Sequence, residues 1–265
     1  MNTKDDVNQI WQHWSNQAKT HPSSYEASWS DRMAIELEIR EILKYLEVND
    51  SVLDVGCATG FSTIQFALQR DIRIVGVDYV PDMIEQANRR LLDLPQHIAS
   101  SAAFKVGDVT SLPDADGAFD KVVSTRVIIN LGTWDRQVKG LRECARVLKP
   151  RGTLLLSEAT EQGWRNMNAF RAEWGLPEIG MPSFNKYLDE DLVVETMLPE
   201  LELVRIVNFS STYYVGTRVL KPLLAGLVNA HVDVANPDSE INKWFAQLPP
   251  AGDYGTQKLF VFRKR

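Results

Sequence analysis

Apolar residues along this chain first recur at helical spacing and then in short unbroken runs, and the change marks where a sheet begins. Val7, Ile10, Trp11 and Trp14 fall at i, i+3, i+4 and i+7, one face of a short helix with Asp5 and Asp6 near its start. His21-Pro22-Ser23-Ser24 breaks that helix. Ile35, Ile39, Ile42, Leu43 and Leu46 then predict a second one, ending near Asn49-Asp50. From there strands are predicted over 51–55, 72–77, 102–106, 119–124 and 152–157, with helices over about 61–70, 81–93 and 134–148. Pro81 suits the first turn of the second of these helices, and Lys149-Pro150-Arg151-Gly152 closes the third. Such alternation predicts a parallel sheet with helices on both faces.

After the fifth strand the rhythm lapses. Residues 159–187 hold Trp164, Trp174, Gly175, Pro177 and Gly180 without a clean period, which reads as an insertion. A short helix is predicted near 189–198, then a β-like run from Leu201 to Tyr214 rich in Val, Ile, Thr and Tyr. A second insertion with helical patterning spans roughly 216–248, before Gln257-Lys258-Leu259-Phe260-Val261-Phe262 closes the pattern as an alternating strand. No internal repeat or low-complexity segment interrupts this order.

Composition narrows the classes. The 265 residues suit one α/β domain with extensions, and a net charge of −6 opposes a large nucleic-acid footprint, which needs clustered Lys and Arg. No run of about eighteen apolar residues and no apolar leader region is seen, so a cytoplasmic protein without a membrane partner is expected. Cys57 and Cys144 form no Cys-x-x-Cys pair, and no metal site is expected.

Candidate chemistry gathers at two strand ends. Ser51-Val52-Leu53-Asp54-Val55-Gly56-Cys57-Ala58-Thr59-Gly60 runs a hydrophobic strand into an acidic residue and a glycine loop. Val75-Gly76-Val77-Asp78 ends a second strand on another carboxylate, 24 positions after the first. This is the layout of a nucleoside-binding βαβ unit, whose second carboxylate takes ribose hydroxyls. A dinucleotide fingerprint fails here, because Ala58 and Phe61 stand where its later glycines belong. Asp54 ahead of the loop suits a ligand with a positive amino-acid end and no phosphate.

These residues resemble motif I of the class I S-adenosylmethionine-dependent methyltransferases. The resemblance continues through Gly107-Asp108-Val109, Phe119-Asp120-Lys121-Val122-Val123 and Val147-Leu148-Lys149-Pro150-Arg151-Gly152-Thr153-Leu154, where Arg151 replaces a glycine usual in the family. It covers about residues 48–160, and the outer segments by arrangement only. It implies a Rossmann-like, doubly wound seven-stranded sheet whose last strand is antiparallel, with an N-terminal helical lid and insertions after strands five and six. The whole of 1–265 would be one methyltransferase domain: lid 1–48, cofactor-binding core 49–158, acceptor-side half 159–265.

The resemblance implies S-adenosyl-L-methionine as cofactor and a set of residues around it. Asp54, Gly56, Cys57, Ala58 and Gly60 would pack against its methionine part, with the glycines permitting close backbone approach. Asp78, followed by Tyr79, would accept the ribose hydroxyls. Asp108 would accept from the adenine amino group, with Val109 as apolar cover. Met83 would touch the adenine face, and Arg126 would stand between cofactor and acceptor. Plainer readings exist for some of these: Asp78 as a helix cap, Asp108 as a turn former, Met83 as core, and Trp11 with Trp14 as a packed face.

A hydroxyl acceptor would also need a general base. Candidates are His13 and His21 in the lid, Glu158 at the end of strand five and His231 in the late insertion; His97 falls on the side away from the cofactor. The leading expectation is methyl transfer to a small molecule, with a hydroxyl preferred (a sugar, glycan precursor or secondary metabolite) and with no nucleic-acid or membrane partner. A protein or nucleic-acid acceptor, or a non-catalytic S-adenosylmethionine-binding protein, is the alternative. No Asn/Asp-Pro-Pro-aromatic tetrapeptide follows strand four; Ser124-Thr125-Arg126-Val127-Ile128-Ile129-Asn130 stands there instead.

Overall fold

Strands that are apolar on both faces need cover on both sides, and the neighbours of each strand supply it. The structure, a computed structural model, describes residues 3–22, 24–227 and 234–265, so His231 lies outside the described residues. The chain enters through α1 (Thr3–Thr20) and α2 (Arg32–Ile42), then alternates: β1 (Ser51–Val55), α3 (Phe61–Gln69), β2 (Arg73–Asp78), α4 (Pro81–Leu92), the short α5 (Gln96–Ala99) and β3 (Ala102–Val106). β4 (Phe119–Thr125), α6 (Trp134–Val147) and β5 (Leu148–Ala159) follow. The later half holds α7 (Glu161–Glu173), α8 (Glu190–Met197), β6 (Leu201–Val207), the one-turn α9 (Ser211–Tyr214), α10 (Lys221–Leu227), α11 (Glu240–Phe245) and β7 (Gln257–Lys264).

The seven strands form one sheet in the order β3-β2-β1-β4-β5-β7-β6. β1 to β5 pair in parallel, and β7 runs antiparallel between β5 and β6. Successive residues of a strand point to opposite faces. Val52, Val123, Leu155 and Val261 accordingly join α2 and α3 in one core, which also takes Tyr213, Tyr214 and Phe245. Leu53, Val122, Leu154 and Phe260 join Leu141 and Cys144 of α6 and Val193 of α8 in the other.

Two segments depart from the sequence reading. The stretch taken as an aperiodic insertion contains the regular helix α7, capped by Thr160, whose hydroxyl accepts from Gly163 N–H. Its buried residues are Gly163, Met167 and Arg171, so the inward face carries no apolar stripe for periodicity to register. The run from Leu201 is a strand only to Val207. Beyond it Ser210 Oγ donates to the Gln257 carbonyl (2.9 Å), and the chain turns into α9, burying Phe209 and Tyr213 against the core. β-Branched and aromatic residues there serve packing, not a ladder.

The N-terminal segment is fastened over the strand ends. Ser15 Oγ donates to Asp82 Oδ2 (2.5 Å), Lys19 pairs with the same carboxylate (3.3 Å), and Thr59 Oγ1 donates to the Ser24 carbonyl (3.3 Å). Among the described residues no helix is long and apolar enough to cross a membrane.

Candidate active site

A cavity of about 360 Å³ opens over the carboxyl ends of β1, β2, β4 and β5, where open α/β sheets bind ligands. One half is walled by the motif residues Asp54, Gly56, Cys57, Ala58, Asp78, Tyr79, Met83, Asp108, Val109 and Arg126. The other half is walled by Trp14, Trp29, Phe184, Tyr187, Tyr214 and Gln257. The N-terminal segment therefore closes the same cavity that the glycine loop floors.

Each motif carboxylate has a distinct surrounding. Asp54 is 1% exposed; Thr63 Oγ1 donates to its Oδ2 at 2.5 Å while Oδ1 has no partner. Burial pushes this carboxyl up to about 7, although the Thr63 hydroxyl favours its charged form. An ammonium group would satisfy the orphan oxygen and reverse that shift. Asp78 accepts from Ala58 N–H (3.0 Å) on Oδ2 and from Val80 N–H (2.9 Å) on Oδ1. Burial raises it to about 6. Each of its oxygens keeps a lone pair, so a diol can still be received at this cavity wall. Val80, not Asp78, occupies the cap position of α4, and no side chain caps it.

Asp108 combines both readings made of it. Its Oδ1 accepts from the Thr110 N–H (2.8 Å) and hydroxyl (2.9 Å), an Asx turn, while the residue lines the cavity. Met83 is likewise both core and wall: 1% exposed, packed with Ala18, Ala27 and Val80, and at the cavity surface.

The two loop glycines do different work. Gly56 has φ +72°, and a Cβ there would overlap the Val127 side chain, so the loop must approach the β4 end bare. Gly60 does not line the cavity. It sits in the left-handed region ahead of α3, where a Cβ would come within 2.6 Å of the Phe104 ring. Its neighbours Thr59 and Phe61 line the cavity, and its bare Cα lets the loop pack on Phe104.

Three base candidates fall away from the cavity wall. Glu158 is fully buried beneath the turn after β4, where Oε1 accepts from Val127 and Ile128 N–H (both 2.8 Å) and Oε2 from Ile129 N–H (3.5 Å). Burial drives it up to about 8. His13 packs behind Trp14 (4.9 Å between centroids) and Phe184 (5.0 Å), and His21 pairs with Glu26 (3.4 Å). None of the three lines the cavity.

Sequence reading missed several polar groups that line the cavity. Among the described residues, Tyr79 OH, Asn130 Oδ1, Arg136 Nε and Asn185 Oδ1 are buried without a hydrogen-bond partner, as is Asp54 Oδ1, and all five residues line this one cavity. Buried polar atoms are seldom left unpaired, and half of those found among the described residues belong to residues of this cavity. Of these, only Asp54 and Tyr79 had been singled out. Asn130 shared a segment with Arg126 but carried no motif, and nothing in the pattern pointed to Asn185. Arg126, at φ +58°, pairs with Glu38 of α2 and lies 5.1 Å from the Trp29 ring centroid.

Strand order, the lone antiparallel strand and carboxylates at the ends of β1 and β2 define a Rossmann-like nucleoside site of the class I methyltransferase kind. Residues 52–152 match the family model described as a methyltransferase domain, so this chain carries a class I S-adenosylmethionine-dependent methyltransferase domain. A demethylmenaquinone methyltransferase of Beutenbergia cavernae is 33% identical over 120 residues, 45% of each chain. A probable tRNA methyltransferase 9B of Mus musculus is 29% identical over 118 residues, 44% of this chain and 24% of that one. The chain thus spans less than half the length of these curated relatives. Among solved structures, that of the [4+2]-cyclase SpnF superposes with a TM-score of 0.59 at 21% identity, over 87% of this chain and 81% of that one, a likeness of fold.

Proposed function

We propose that this chain binds S-adenosylmethionine and directs its methyl group to a small molecule. In this reading residues 1–265 act as one unit, with 1–48 the lid, 49–158 the cofactor core and 159–265 the acceptor-side half. The observation that carries it is the continuity of a single cavity from Asp54 and Asp78 to the aromatic wall of Trp29, Tyr187 and Tyr214. S-adenosylmethionine supplies an activated methyl on a positive sulfur. Asp54 would hold the ammonium of its amino-acid end, Asp78 the ribose hydroxyls and Asp108 the adenine amino group. Gly56 lets the backbone close on it, and the lid excludes water.

A small acceptor is favoured by the aromatic lining and by the net charge of −6, which opposes a nucleic-acid partner. The likeness to a probable tRNA methyltransferase is what favours the second reading, an RNA acceptor. An oxygen acceptor, the preference drawn from the sequence, calls for a base, and none of His13, His21 and Glu158 lines the cavity. Incubation with methyl-labelled S-adenosylmethionine and a size-fractionated bacterial extract tests the proposal. Label in the small-molecule fraction is expected. Label confined to RNA would replace it with the second reading, and tight cofactor binding without label in any fraction would point to a non-catalytic binding protein.

A further inference from the structure

Two aromatic rings of the acceptor-side wall are already covered by arginines. Arg218 Cζ stands over the Tyr214 ring, 4.4 Å from its centroid, and 5.5 Å from that of Tyr213. Tyr214 lines the cavity and Arg218 does not, so the guanidinium covers the ring from its protein side. Arg126 stands over Trp29 at 5.1 Å. Each arginine is held by a buried carboxylate set back from the cavity. Asp31 accepts from Arg218 Nη2 (2.6 Å) and from Tyr213 OH (2.6 Å), and Glu38 accepts from Arg126. Arg218 is carried on a π-helical stretch, Val215–Leu220, a rare widened turn that gathers at functional sites.

Both ion pairs therefore turn their positive member toward the aromatic wall and their negative member away from it. Among the described residues, the carboxylates that line the cavity are Asp54, Asp78 and Asp108, all in its motif half. A guanidinium over one face of a ring draws the π electrons toward itself and leaves the other face poorer. Such a face receives a cation badly and an electron-rich ring well.

We infer, resting on the methyl-transfer reading above, that the acceptor is a phenol bound as its phenolate, its electron-rich ring laid against Trp29 and Tyr214. Burying an anion is costly unless opposite charge stands near it. Here the cofactor's sulfonium and the arginine-backed wall supply that charge. The phenol proton passes to water before the anion enters. A phenolate oxygen lone pair then forms the O–C bond while the C–S bond breaks and its electron pair passes to sulfur. A neutral ether and a neutral sulfide result. No protein base is required, in keeping with the absence of His13, His21 and Glu158 from the wall. Tyr187, pushed up to about 12 by burial, stays protonated at neutral pH and does not serve as one. Arg218 acts through Tyr214 and is a positioning residue.

The test uses the whole chain and analogues of S-adenosylmethionine with nitrogen in place of sulfur. Their arms are methyl, cyclohexylmethyl, benzyl, 4-(aminomethyl)benzyl and 4-hydroxy-3-nitrobenzyl, and each is titrated by calorimetry near neutral pH. The nitrophenol arm changes colour on ionising, so absorbance reads its state when bound. It is expected to bind roughly tenfold more tightly than the benzyl arm, with the cyclohexylmethyl and aminomethyl arms weaker still. Its ionisation midpoint is expected to lie lower when bound than when free. Asp31→Asn combined with Arg218→Met removes both charges of the inner pair, and asparagine can still cap α2. That double variant should return the midpoint toward its free value and erase the advantage over benzyl, with methyl-analogue affinity within about twofold. A nitrophenol arm bound in its neutral form overturns the inference, as does an aminomethyl arm bound equally well; neither comparison needs a variant. An advantage untouched by the double substitution overturns it too. Failure of the methyl analogue itself to bind would instead overturn the cofactor reading beneath it.

Discussion

Arg126, in the left-handed region at the end of β4, donates to Glu38 of α2, 88 positions earlier in the chain. Glu38 is 1% exposed, and its other oxygen accepts from Ser157 Oγ (2.5 Å) and Gln257 Nε2 (3.2 Å). One carboxylate thus joins the N-terminal segment to β4, β5 and β7 beneath the cavity. Glu38→Ala would remove the acceptor of Arg126 and of Ser157 Oγ, while Gln257 Nε2 would keep only its bond to Ser157 Oγ (3.2 Å). A loss of about 3 kcal/mol in urea unfolding is expected, as for other broken buried pairs. Glu38→Gln, which keeps an oxygen for Ser157, should lose less. A loss under about 0.5 kcal/mol for the alanine variant would mean the network is not an anchor.

Asp78→Ala should weaken S-adenosylhomocysteine binding by roughly ten- to a hundredfold, the range for charge-assisted hydrogen bonds to two hydroxyls. Adenosine, which keeps the ribose, should lose a similar factor, whereas 2′,3′-dideoxyadenosine should be indifferent to the substitution. Calorimetry on the three ligands distinguishes a ribose contact from general damage to the loop held by Ala58 N–H.

Asp78, Asp54 and Glu158 all carry raised carboxyl pKa values, about 6, about 7 and about 8, each chiefly through burial. The folded chain therefore holds more protons than the unfolded one between pH 4 and 8. Stability of the ligand-free protein should fall as pH rises through that window, since the slope follows the excess of protons in the unfolded state. Ligand binding should run the other way, because an ammonium group needs Asp54 ionised. Urea midpoints are expected to be higher at pH 5.5 than at pH 8.5, and Asp54→Asn should flatten the middle of the curve. Midpoints that rise across this window would contradict the three assignments together.

Gly56→Ala should cost about 1–3 kcal/mol, the usual range for overpacking, and should abolish tight cofactor binding. The overlap is with Val127, so Val127→Ala in the same chain should recover part of the stability. The φ of +72° remains unfavourable, and recovery should be incomplete. A double-mutant cycle by chemical unfolding measures the coupling, and strict additivity would argue against the contact.

Much of this molecule was legible in one dimension, and the reasons are local. Buried parallel strands must be apolar on both faces, so β1, β2 and β4 stood out as short runs. Asp54, Gly56 and Asp78 announced themselves by standing at strand ends where a polar or bare residue interrupts such a run. What folding alone decided comes from segments distant in sequence. Glu158 looked like a free carboxylate at a ligand-binding strand end, yet the turn after β4 folds over it and takes both its oxygens. α7 went unseen because tertiary contact buries an arginine and a glycine where an apolar stripe was sought. Ile129 and Lys186 met through a backbone bond between β4's exit turn and a loop more than fifty residues later. Periodicity records which side of an element is buried, whereas the pairing of particular polar atoms is fixed only when packing brings their backbones together.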